Sequence, residues 1–158
     1  MNSCIRRGES SAFFGVEDSH IVKAGKPELV KSRTLEYLGR HLDIARELGK
    51  PVVVEEFGYP RDGQDWRNTA TVEGRDGYYA LIFNEVVRSA TEDGLLAGCN
   101  FWSWSGVARQ TREIWQEGDD LCGDPSQEAQ GLNGVYLSDR STVELIMEHA
   151  GRLEKATE

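Results

Sequence analysis

The sequence is poor in the residues that hold small stapled or metal-built folds together. Its three cysteines, Cys4, Cys99 and Cys122, are an odd and scattered set, which argues against a disulfide framework. Its three histidines, His20, His41 and His149, stand apart from them, and no Cys/His spacing resembles a zinc site. No apolar run approaches the roughly 20 residues of a membrane-spanning helix, so no membrane partner is expected. Positive charge is scarce: 18 Lys and Arg face 27 Asp and Glu, for a net charge of −9. Nucleic acid and anionic membrane surfaces are therefore poor partners. The first 15 residues contain Arg6-Arg7 but lack the apolar core of roughly 7–15 residues that a secretory signal needs, so no signal peptide is read. Internal repeats and low-complexity tracts are absent from the sequence as well.

What is present is a patterned α/β chain, with 39% hydrophobic residues to build a core. The stretch Lys50-Pro51-Val52-Val53-Val54-Glu55-Glu56-Phe57-Gly58 is an apolar β-branched run that ends abruptly in two carboxylates. Three valines after a proline read as a strand buried on both faces, as in a parallel sheet. In barrels of alternating strands and helices the C-terminal strand ends face the active site. A carboxylate there is costly to bury unless chemistry or a partner requires it, which singles out Glu56. Glu55 is adjacent, so on a regular strand it points the opposite way. The two cannot be a facing catalytic pair, and Glu55 reads as structural.

A second run, Gly94-Leu95-Leu96-Ala97-Gly98-Cys99-Asn100-Phe101-Trp102-Ser103-Trp104, ends in aromatics. Alternation places Asn100, Trp102 and Trp104 on one face and Phe101 and Ser103 on the other. Cys99 should point toward a covering helix as a small buried hydrophobe. A flat aromatic surface beside a carboxylate suits a sugar ring, whose C–H face stacks on the indole while the carboxylate meets the anomeric carbon.

Between these runs lie helical patterns. Leu35, Leu38, Leu42, Ala45 and Leu48 predict an amphipathic helix over about 28–48, closed by Gly49. Tyr79, Ile82, Phe83, Val86 and Ala90 predict another over about 75–92, ended by Gly94. Val143, Ile146, Met147, Ala150 and Leu153 predict a last one after a short extended piece, Leu132 to Leu137. Ala12 to Val16 reads as a further strand before the first helix. Residues 105–131 form a long polar loop, uncommon in a compact domain unless it is functional. Its Asp119, Asp120, Asp124 and Glu128 are oxygen ligands of the kind calcium takes, without the EF-hand order. No metal and no cofactor is expected. His41 and His149 read as surface or boundary residues, and only His20 falls near a strand end.

The two strand runs, with Gly118-Asp119-Asp120, Gly123-Asp124-Pro125, Gln130-Gly131 and Ser141-Thr142, resemble the C-terminal part of glycoside hydrolase family 5. The likeness is to its endo-β-1,4-mannanase and cellulase-like members, over roughly residues 28–150. It implies the C-terminal portion of a TIM (β/α)8 barrel, about strands 6–8 with their helices. Residues 1–27 are left as an unplaced N-terminal segment and 28–158 as a partial barrel domain. It also implies that Glu56, before the aromatic-glycine pair at the end of the seventh strand, is the nucleophile of a retaining glycosidase. Trp102 would then be the platform under the reacting sugar, with Asn100, Trp104 and Tyr59 as further substrate contacts. Trp104 and Trp115 could equally pin the loop.

A whole barrel needs about 250 residues, against 158 here. The family's acid/base glutamate, which follows an asparagine on the fourth strand, has no counterpart. The only Asn-Glu pair, Asn84-Glu85, lies inside a helical pattern. Two functions follow: a retaining hydrolase of β-1,4-linked polysaccharide, with mannan favoured, or a sugar-binding fragment without catalysis. The expected partner is a polysaccharide or oligosaccharide, with self-association through exposed sheet edges. The parent family acts in extracellular or periplasmic settings.

Overall fold

The computed structural model describes residues 5–6, 9–14 and 26–157, the side chains from 26 onward. Cys4, Gly15, Val16 and His20 lie outside the described residues. Four strands form the main sheet: β1 (Ile5–Arg6), β2 (Glu9–Phe14), β3 (Val52–Phe57) and β4 (Leu96–Phe101), in that order. β2, β3 and β4 run parallel, and β1 is antiparallel to β2. Parallel neighbours need crossovers of a dozen or more residues. Helices α1 (Pro27–Leu48) and α2 (Glu73–Thr91) supply them. A second, two-stranded parallel sheet joins β5 (Trp104–Gly106) to β6 (Val135–Tyr136), and helix α3 (Arg140–Thr157) follows.

The core lies between this sheet and its helices. Val52, Val54, Phe57 and Leu96 meet Leu38, Ala45, Tyr79, Ile82, Phe83 and Val86 there. The Phe57 ring sits 4.9 Å from Tyr79 and 5.9 Å from Phe83, both edge-on, an arrangement favoured by the ring quadrupoles. Cys99 and Phe101 pack partly buried on the same cluster. Burial pushes the Cys99 thiol up to about 12, far from a reactive thiolate.

Several expectations need correction. The valine run is not covered on both faces: Val52 and Val54 are buried, whereas Val53 is half-buried on the open face. On α1, Leu35 and Leu48 are exposed and the buried positions are Val30, Thr34, Leu38 and Ala45. Thr34 enters the core because its hydroxyl hydrogen-bonds to the Tyr78 hydroxyl at 3.0 Å, which removes the cost of burying it. On α3, Met147 and Ala150 are exposed, and the buried residue is Thr142, which donates to Asp76 at 2.5 Å.

Candidate active site

Register explains where Glu56 comes to lie. Val54 pairs with Ala12 on one side and Cys99 on the other, but the next β2 partner, Phe13, faces Glu56. Glu55 is thus the extra residue of a β-bulge, which breaks strict alternation. Counting by twos from Val52 would send Glu56 to the helix side. Instead Phe57 takes that side, fully buried among the α2 rings, and Glu56 turns to the open face. Glu55, expected to point away from Glu56, is close enough that its charge acts on its neighbour. Burial first, and the Glu55 charge second, raise the Glu56 carboxyl above the usual glutamate value.

Beside Glu56, the pairs Val54↔Cys99 and Phe57↔Phe101 bracket Asn100 on β4. Asn100 and Trp102 are exposed, and Trp104 is exposed by 53%. Phe101 and Ser103 are the covered pair. The two strand ends are closely tied: the Trp102 amide donates to the Phe57 carbonyl at 2.6 Å, and the Tyr79 hydroxyl donates to the Trp102 carbonyl at 3.1 Å. The Trp102–Ser103 peptide is cis. Gly58 permits this approach, because a β-carbon there would sit 2.8 Å from the Trp102 carbonyl oxygen, inside van der Waals contact. Glu56, Asn100 and Trp102 thus lie at the C-terminal ends of neighbouring strands, whereas the Trp104 ring packs edge-on 6.5 Å from Phe101.

Tyr59 does not join them. Only 8% exposed, its ring packs 5.2 Å from Tyr78, and burial ahead of the Asp62 charge raises its pKa. Its carbonyl accepts from Arg75 Nε at 3.0 Å, so it holds the loop after β3. Trp115 likewise pins the polar loop, donating to the Asp119 carbonyl at 2.9 Å.

The sequence reading missed what supports this face. Arg61 and Arg75, both fully buried, converge on Asp139. Arg61 makes a two-pronged pair at 3.0 and 2.6 Å, and Arg75 approaches at 3.4 Å. The guanidiniums also donate to the carbonyls of Gly131, Ala70, Tyr59 and Leu132 at 2.9–3.2 Å. Asp62 caps α2 from outside the helix, accepting from the Glu73 and Gly74 amides at 2.8 and 3.0 Å. Burial alone would raise the Asp62 carboxyl, but bonds from Thr71, Gly74 and Glu73 hold it below its ordinary value.

The long loop is organised rather than slack. Gln130, buried, accepts from the Cys122 amide at 3.0 Å and donates to the Asp124 and Pro125 carbonyls at 3.0 and 2.7 Å. Asp124 receives the Gly131 amide at 2.8 Å and Asn133 Nδ2 at 3.0 Å. Asp119 binds Thr111 at 2.8 Å and Arg112 at 2.9 Å, while Asp120 accepts from the Arg109 amide at 2.8 Å. These carboxylates satisfy the loop's own donors. Gln110 joins loops, accepting from the Asn68 amide at 2.8 Å and donating to the Gln130 carbonyl at 2.9 Å.

A carboxylate and an indole at the C-terminal ends of parallel βα strands occupy the positions where α/β barrels place their active sites. Residues 13–158 match the family described as GH family 5 beta-mannosidase-like, and the chain belongs to that glycoside hydrolase family. A mannan endo-1,4-beta-mannosidase by name from Arabidopsis thaliana is 31% identical over 119 residues, covering 74% of this chain and 24% of that relative. The crystal structure of the family 5 mannosidase from Rhizomucor miehei superposes with a TM-score of 0.84 at 27% identity, over 95% of this chain and 38% of that one. Its mutant in complex with mannosyl-fructose gives a TM-score of 0.82 at 25% identity, over 94% and 38%. The chain thus has an α/β fold equivalent to part of a family 5 barrel and spans about a quarter of the plant relative.

Proposed function

We propose that the chain from β2 onward forms about strands 6–8 of a retaining β-glycosidase barrel acting on β-1,4-linked mannan; β2 (Glu9–Phe14), within the segment left unplaced from sequence, belongs to that unit because it pairs in parallel with β3. Glu56 is the nucleophile, Trp102 the platform beneath the reacting sugar, and Asn100 and Trp104 further contacts. The bulge at Glu55 carries this reading, because it turns Glu56 to the open face beside Asn100. In the retaining mechanism the nucleophile attacks the anomeric carbon while a second carboxyl protonates the leaving oxygen, then activates water. The mannosyl-fructose complex of the R. miehei enzyme supports a mannose-containing substrate.

A second reading, a sugar-binding face without hydrolysis, is favoured by one observation. Asp119, Asp120 and Asp124 are all engaged by loop donors, so none stands ready as the proton donor. Losing general acid catalysis removes about 10²–10⁴-fold in rate. The test compares the chain with Glu56→Ala on an activated aryl β-mannoside, whose leaving group needs no proton, and on polymeric mannan. The chain should release the aryl group slowly, Glu56→Ala should not, and mannan should be cut poorly by both. Equal aryl release by the two would end the nucleophile assignment. Binding of mannan with no Glu56-dependent turnover would select the second reading.

A further inference from the structure

Glu56 and Trp102 stand at the ends of two different strands, so a sugar can meet both only if those ends keep a fixed offset. Tyr79, fully buried on α2, reaches both from the helix side. Its ring packs on the two core residues that adjoin them in the chain: Phe57, which follows Glu56, at 4.9 Å, and Phe101, which precedes Trp102, at 5.8 Å. Its hydroxyl donates to the Trp102 carbonyl at 3.1 Å. The Trp102 amide is committed to the Phe57 carbonyl at 2.6 Å. One polar group of the Trp102 backbone is therefore held by β3 and the other by α2.

The helix is itself anchored one turn earlier. Arg75 lies four residues before Tyr79 and so on the same helix face. Fully buried, it donates to the Tyr59, Gly134 and Leu132 carbonyls at 3.0, 3.2 and 2.9 Å. Sliding or rotating α2 would break these bonds, so the Tyr79 hydroxyl is presented to Trp102 from a fixed position. Burial pushes the Tyr79 phenol above its ordinary value, with Arg75 opposing, so the hydroxyl keeps its proton and remains a donor at neutral pH.

We propose that Tyr79 is a positioning residue, which holds the Trp102 platform at the offset from Glu56 that attack on a stacked sugar needs. Buried behind the strands, it meets no substrate itself. This role rests on the proposed assignments of Glu56 and Trp102 and adds to them a side chain 23 residues from Trp102 in sequence. Without the hydroxyl a sugar can still stack on the indole, because the packing of the Tyr79 ring on Phe57 and Phe101 is retained. What is lost is alignment of the anomeric carbon with the carboxylate. Misplacement by about 1 Å can cost about 10²-fold in rate, so turnover should suffer more than binding.

The test is Tyr79→Phe, which deletes one oxygen and keeps the ring. Tyr78→Phe is the matched control: its hydroxyl is also buried on α2, but it shares its hydrogen bond with Thr34 of α1 at 3.0 Å, away from the strand ends. Both variants lose one buried hydrogen bond and should lose similar stability in a thermal melt. First-turnover release from the activated aryl β-mannoside should fall about tenfold in Tyr79→Phe, with KM within about twofold of the parent. Tyr78→Phe should keep the parent rate. In isotope-labelled chain, the Trp102 indole N–H signal, assigned by its loss in Trp102→Phe, should move in Tyr79→Phe and stay in Tyr78→Phe. Equal release rates in the two variants, or an unmoved Trp102 signal, would overturn the proposal. Failure of the nucleophile reading shows separately, as equal release by the parent and Glu56→Ala; the Trp102 signal, which needs no turnover, then decides alone.

Discussion

Asp139 is the most exposed point of failure in the fold's energetics, although solvent hardly reaches it. Its carboxylate accepts from Arg61 twice, from Arg75 once and from the Tyr136 amide at 3.0 Å. Asp139→Ala would leave two buried guanidiniums facing each other with only backbone carbonyls for company. Breaking a buried pair by removing one partner costs about 3–5 kcal/mol, because the remaining charge is uncompensated. The retained carbonyl contacts keep the expectation at the lower end, about 3 kcal/mol. Asp139→Asn retains one acceptor oxygen and should cost about 1–3 kcal/mol, the penalty of a partly satisfied buried donor set. The control is Glu36→Ala, which removes an exposed i,i+4 partner of Arg40 at 3.0 Å and should cost under about 1 kcal/mol. Urea unfolding of the four proteins at one pH supplies the measurement, with the slope checked for constancy. If Asp139→Ala unfolds the chain outright, the Asn variant still ranks the effect. The reasoning is refuted if Asp139→Asn and Glu36→Ala lose the same stability.

Two further outcomes follow from the open face. Glu56 has its pKa raised above the ordinary 4.5, so its charged form is disfavoured in the folded chain. That penalty is absent below about pH 4.5, where the group is protonated folded or unfolded, and is complete once pH exceeds the folded value. Glu56→Gln should therefore melt higher than the parent at pH 7, with the gap closing toward pH 4; an equal or lower melting temperature at pH 7 would contradict it. Gly58→Ala brings a methyl to 2.8 Å from the Trp102 carbonyl oxygen. The neighbour is backbone and cannot swing aside, so the change should cost about 1–3 kcal/mol and alter Trp102 fluorescence, whereas unchanged stability and emission would show the strand ends to be less tightly joined.

The elements were legible because each had a local signature. Pro27 and Gly49 bound α1, and apolar spacing marked α2 over all but its ends. Leu96 begins β4 where the apolar run predicted a strand, with Ser89 of α2 accepting its amide at 2.9 Å. The left-handed residue after α2, however, is Asp93 rather than Gly94. Glu56 was legible as a strand-end carboxylate, but its side of the sheet was not. Alternation holds only in an unbroken ladder, and the bulge at Glu55 appears only when three strands are in register. The supporting shell was harder still. Arg61 and Asp139 are 78 residues apart and Arg75 and Asp139 are 64 apart, and no short-range pattern links them. Tyr59 shows the cost of that blindness: an aromatic just past a catalytic-looking glutamate reads as a substrate contact, yet its carbonyl belongs to Arg75 and its ring to Tyr78.

The same contrast separates the backbone of the strand ends from the carboxylate they carry. Its bonds from β3 through Gly58 to Trp102, and from Asp139 to the two arginines, close the C-terminal end of the array from within. The Glu56 carboxylate, by contrast, makes no hydrogen bond to any described residue, and Glu55 beside it opposes its ionisation. A nucleophile in that state reacts more slowly than one held ionised by donors. Glu56-dependent release of an aryl leaving group should therefore rise with pH as the carboxyl ionises, with its midpoint above the ordinary 4.5; a midpoint at or below 4.5 would contradict the raised carboxyl.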